Sequence, residues 1–130
     1  MAHRVLVIDD QLSVAEILRE FLTDAGYQVN TASGGHEGLR MFEDTHFDVV
    51  ITDVRMGDID GRAVAQHIRN SAKPGTPVIG ISGTPWLLEN DKFDRVLAKP
   101  FSLKSLSQTM EALEQGISQD LSRGEMQRAS

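Results

Sequence analysis

The chain has 130 residues, with 19 acidic and 13 basic side chains, four histidines, no cysteine and a formal charge of −6. That length fits one domain burying roughly two-thirds of its unfolded surface, and the lack of cysteine excludes disulfides and thiolate metal sites and fits a reducing compartment. The acidic balance argues against direct nucleic-acid binding and favours a protein or a cation as partner, while short apolar runs and the absence of a signal-peptide pattern in MAHRVLVIDD predict a cytoplasmic protein without membrane contact.

RVLVI at 4–8 reads as a strand, followed by a helical pattern of Leu12, Ala15, Leu18, Phe21 and Leu22 that Gly26 ends. YQVNTA at 27–32 is a second strand, and SGG at 33–35 opens a helix carrying Leu39 and Phe42. FDVVIT at 47–52 precedes a helix with Ala63, Val64, His67 and Ile68, which KPGTP at 73–77 separates from the strand PVIGIS at 77–82. Before the fifth strand, RVLA at 95–98, the stretch GTPWLLENDKFD leaves room for only about one or two helical turns. Trp86, Leu87 and Leu88 are read as packing anchors of that shortened fourth helix.

The last helix carries Leu103, Leu106, Met110, Leu113 and Ile117 at near-heptad spacing, read as core packing; a dimer seam needs more heptads, so a homodimer stays open. Beyond Gly116 the chain turns polar. We therefore expect a domain over 1–116 and a C-terminal extension over 117–130, either the frayed helix end or a linker. Five alternations of helix with strands that are apolar on both faces predict an α/β fold, a doubly wound parallel sheet covered on both sides.

In such sheets ligands bind outside the carboxyl ends of the strands. Those ends carry Asp9 and Asp10, then Asp53, then Ser82 with Gly83 and Thr84, then Lys99. Three carboxylates packed together either protonate or hold a cation, and a few oxygen ligands with room for water and a phosphate oxygen suit Mg²⁺ better than a caged Ca²⁺. An aspartate is a competent nucleophile toward a phosphoryl group, and Asp53, alone on the central strand, is the best candidate. Singly, each residue has a plainer reading: Asp10 as a helix N-cap, Asp53 as a strand-end acid, Ser82 as a turn residue, Lys99 as a surface lysine. Their convergence at one sheet edge favours a site. His3, His36, His46 and His67 have no metal-ligand spacing and are read as structural or solvent-facing, and SGGHEG lacks the lysine of a phosphate-binding loop.

Over residues 3–115 the chain resembles the receiver domain of two-component response regulators, through VLVIDD at 5–10, VVITDVRM with DG at 49–61, VIGIS at 78–82 and LAKPF at 97–101. The resemblance implies a flavodoxin-like (βα)5 fold with strand order 2-1-3-4-5. It implies phosphorylation of Asp53, Mg²⁺ held by Asp9, Asp10, Asp53 and the Arg55 carbonyl, Ser82 as switch hydroxyl, Lys99 on the phosphoryl group and a cis Lys99–Pro100 peptide. The donor would be a histidine kinase or histidine phosphotransfer protein, with an unknown downstream protein as receiver of the signal. Arg55 and Thr84 would tune phosphoryl lifetime.

Three features depart from the family. Gly57 replaces the usual proline and should loosen the loop behind Asp53. The Ser82-to-Lys99 interval is short at the fourth helix, and Val96 stands where the family commonly carries a rotating tyrosine or phenylalanine. Output is therefore expected to use another movement, in the 83–93 loop. Two rival readings stand beside this one: an aspartyl-phosphate phosphatase, which would want an aspartate where Arg55 stands, and a scaffold module without phosphorylation, against which the Asp, Ser and Lys set argues.

Overall fold

A computed structural model describes residues 3–88 and 92–114. The backbone separates into two compact units, Met1–Pro100 and Phe101–Ser130. The first holds β1 (Arg4–Ile8), α1 (Leu12–Asp24), β2 (Gln28–Ala32), α2 (Gly35–Asp44), β3 (Val49–Asp53), α3 (Gly61–Arg69), β4 (Val78–Ser82), a 3-10 turn (Pro85–Leu88) and β5 (Arg95–Ala98). The second holds α4, residues 103–114. The five strands form one parallel sheet in the order 2-1-3-4-5, as expected, with Ile8 opposite Thr52, Asp53 opposite Ile81 and Ser82 opposite Ala98.

Alternation along the strands sends side chains to two buried faces. Leu6 and Ile8 of β1, Val50 of β3 and Val78 of β4 pack with Phe42 of α2 and with Val64, Ala65 and Ile68 of α3. Gly38 lets α2 approach closely: a Cβ there would lie 2.4 Å from Ile8 Cδ1. α1, whose buried Ala15, Leu18 and Leu22 lie outside that cluster, packs on β1 and β2. Leu12, the first residue of its expected apolar stripe, is exposed, and Gly26 closes the turn after α1 at φ 103°.

Where a fourth helix of only one or two turns was expected, the described residues make a 3-10 turn, Pro85–Leu88. Trp86 is no packing anchor: it is 69% exposed. Leu87 and Leu88 lie in the turn, and residues 89–91 of the expected output loop lie outside the described residues. The chain is fastened again by Arg69, whose guanidinium donates to the carbonyls of Pro74, Thr76 and Lys92 and pairs with Asp94, while Asp94 also accepts from the Val78 N–H. In α4, Leu106, Met110 and Leu113 are buried, whereas Leu103 is exposed, a correction to its core assignment; Ile117 and the 117–130 extension lie outside the described residues. No helix among the described residues is long and apolar enough to cross a membrane.

Candidate functional site

Because all strands run the same way, their carboxyl ends share one edge, and the β1–β3 register places Asp9 and Asp53 side by side one step beyond Ile8 and Thr52. Carboxylate oxygens of Asp9, Asp10 and Asp53 lie within 4.8 Å of one another. At that spacing two charges repel by roughly 3 kcal/mol at an effective dielectric of about 20, more than a surface ion pair returns. Asp9 is buried; its Oδ1 accepts from the Gln11 N–H at 2.9 Å, and its Oδ2 is buried with no hydrogen-bond partner among the described residues. Burial pushes the Asp9 carboxyl up, and the charges of Asp53 and Asp10 add to the rise against the Gln11 N–H and Lys99. An orphaned acidic oxygen inside a triad of hard ligands fits a divalent cation of the Mg²⁺ type.

Lys99 follows β5 directly, and its Nζ donates to Asp53 Oδ2 at 3.0 Å; Asp53 is buried and the lysine about one-third exposed. The Lys99–Pro100 peptide is cis, and the Lys99 N–H donates to the Ser82 carbonyl at 2.8 Å, tying the ends of β5 and β4. The Ser82 hydroxyl is buried and accepts from the Thr84 N–H at 2.9 Å, so it faces its own turn. Arg55 is exposed, and its charge acts on Asp60. Val96 is half-buried on β5, paired in register with Gly80. Asp10 does not cap α1, where Gln11 occupies the N-cap; its Oδ2 accepts from the Gly57 N–H. The histidines take surface positions: His46 pairs with Asp48, and His67 with Glu43.

Four supporting contacts were not found by sequence reasoning. Gly57 donates to Asp10 at 3.1 Å. Asp58 accepts from the Gly35 N–H at 3.0 Å and the His36 N–H at 2.9 Å, which places a carboxylate on the start of α2 from a loop 22 residues away. Those amides, with that of Ile59, hold the Asp58 carboxyl down at about 2. Gly61, the glycine of the DG pair, lets α3 start against β3: a Cβ there would lie 2.4 Å from the Asp53 carbonyl oxygen. Finally, the Phe93 ring covers Gly80, within 2.9 Å of where a Cβ would stand, so the aromatic beside this part of β4 comes from before β5. Only the DG spacing carried a local signal, as a helix cap: Asp60 accepts from the Arg62 N–H at 2.7 Å.

Residues 5–111 match the family model of the response regulator receiver domain. Among curated proteins, the uncharacterized transcriptional regulatory protein YrkP of Bacillus subtilis is 34% identical over 111 residues, 82% of this chain and 47% of YrkP. The sensor histidine kinase RcsC of Escherichia coli is 32% identical over 111 residues, 82% of this chain and 12% of RcsC. The chain thus spans about half or less of the length of the relatives it matches. Among solved structures, the response regulator protein TrrA from Thermotoga maritima, in complex with Mg²⁺-BeF, superposes with a TM-score of 0.78 at 32% identity, covering 87% of this chain and 99% of that one.

Proposed function

Since this chain belongs to the response regulator receiver domain family, we propose that it accepts a phosphoryl group from a phosphohistidine donor onto Asp53 in a Mg²⁺-dependent reaction and thereby changes its affinity for a protein partner. The observation that carries this is the triad of Asp9, Asp10 and Asp53 with the Lys99 ammonium 3.0 Å from Asp53. Asp9, Asp10, Asp53 and the Arg55 carbonyl would hold the cation. Bound there, Mg²⁺ supplies neutralisation of charge on the transferring phosphoryl oxygens.

An Asp53 carboxylate oxygen forms the new P–O bond as the N–P bond of phosphohistidine breaks, the imidazole nitrogen keeping the bonding pair. Lys99 then exchanges its hold on the bare carboxylate for one on the phosphoryl group. Ser82 can donate its hydroxyl proton to a phosphoryl oxygen without releasing Thr84, because its Oγ accepts from that N–H through a separate lone pair. Arg55 and Thr84, flanking the site, set phosphoryl lifetime. With Val96 in place of an aromatic rotor, output passes through the turn after Ser82. The donor is a histidine kinase or histidine phosphotransfer protein in the cytoplasm; the receiver occupies 1–116, with 117–130 as extension or linker.

Incubation with acetyl phosphate and Mg²⁺ followed by intact mass tests this. One phosphoryl adduct is expected on the wild type and none on Asp53→Asn; an unmodified wild type sinks the reading and favours the scaffold alternative.

A further inference from the structure

Of the three clustered carboxylates, Asp9 and Asp53 are buried and so held by packing, whereas Asp10 is exposed. An exposed aspartate is free to leave the cluster, and ordering it costs side-chain entropy. The group that retains it is the Gly57 N–H, 3.1 Å from Asp10 Oδ2. That donor is itself fixed, since the next residue, Asp58, is bonded to the amides of Gly35 and His36. We propose that Gly57 is a positioning residue for the cation seat, its N–H holding Asp10 in reach of Asp9 and Asp53. The proposal rests on the reading of the triad as a Mg²⁺ site.

What matters at position 57 is the backbone donor and not the lack of a side chain. Gly57 is not among the glycines with positive φ, and a Cβ there would meet only Asp10 Oδ2, at an ordinary 3.8 Å. Alanine therefore fits with the bond intact. Proline, which the family usually carries here, removes the donor. The residue that looks like a loosening of the loop thus adds a hydrogen bond to a ligand, and hydrogen-bond partners of metal ligands act on affinity through orientation.

The experiment is calorimetric titration of Mg²⁺ alone into wild type, Gly57→Ala and Gly57→Pro, with urea unfolding of each variant. We expect Gly57→Ala to bind as the wild type does and Gly57→Pro to bind on the order of 10-fold more weakly, with both folded. Equal affinities in the alanine and proline variants overturn the positioning role while leaving the Mg²⁺ seat standing; a wild type that binds no Mg²⁺ overturns the seat, and the proposal with it. A second measurement avoids proline altogether: the Gly57 amide should exchange with solvent faster in Asp10→Ala than in the wild type, and unchanged exchange overturns the proposal.

Discussion

The Lys99 ammonium meets Asp53 Oδ2 at 3.0 Å, joining the residue after β5 to the last residue of β3 across the end of β4. A lysine following a largely exposed edge strand is thereby the countercharge of a carboxylate cluster. Lys99→Met keeps the apolar stem and removes that charge. Phosphorylation by acetyl phosphate should slow on the order of 100-fold, the scale of losing one preorganised donor at a reacting centre. A mass time course that matches the wild type would contradict this role.

Like charges at Asp9, Asp10 and Asp53 make the cation-free site a source of instability. Asp53→Asn should therefore raise the urea midpoint in the presence of a chelator. Wild type, in turn, should gain about 1.4 kcal/mol at a Mg²⁺ concentration tenfold above its Kd. The asparagine variant should lose most of that gain; an equal gain in both would place the cation elsewhere.

Asp58 gives the fold an acid-sensitive fastening. The His36, Gly35 and Ile59 amides hold its carboxyl at about 2, below its unfolded value, so its contribution is complete above the unfolded pKa of about 3.9 and disappears as pH falls from there toward about 2. Asp58→Ala should cost about 1 kcal/mol at neutral pH, the scale of a lost helix cap. Between about pH 4 and pH 2 the variant and wild type should converge, because the protonated wild type has lost the same charge. A stability gap that stays constant with pH would contradict the assignment.

Gly61 is a packing requirement of the strand that carries Asp53. Its added Cβ would lie 2.4 Å from the Asp53 carbonyl and 2.9 Å from Val54 Cα, both backbone atoms that cannot rotate away. Gly61→Ala should cost about 1–3 kcal/mol through overpacking and impair Asp53 phosphorylation. Gly75→Ala, where a Cβ meets nothing within 4 Å, is the control and should change neither. Wild-type behaviour from Gly61→Ala would show that α3 can shift without moving Asp53.

Strands were the most legible part of the sequence, because runs such as VLVI and VVIT are apolar on both faces and broken by turn residues. The four ionic site residues were legible for a related reason: a parallel sheet brings its strand ends to one edge, so Asp9, Asp10, Asp53 and Lys99 converge once the alternation is recognised. Helix faces were read less well. Leu12, Trp86 and Leu103 look like core residues by type and spacing yet are exposed, since periodicity marks a stripe and not where its ends stop being covered. Bonds from Gly57 to Asp10 and from Asp58 to α2 were invisible because they join separate loops through backbone amides, which every residue type but proline possesses.

Those same bonds set a length. Counting from Asp53, the fourth residue reaches Asp10, the fifth reaches α2 and the seventh starts α3 through the Asp60 cap. Surface loops ordinarily absorb insertions and deletions, but adding or removing one residue between Val54 and Met56 would put all three partners out of step at once. The segment is irregular in conformation and nonetheless a fixed-length spacer, so variation in length among viable variants of this chain should fall elsewhere, first in the stretch between β4 and β5.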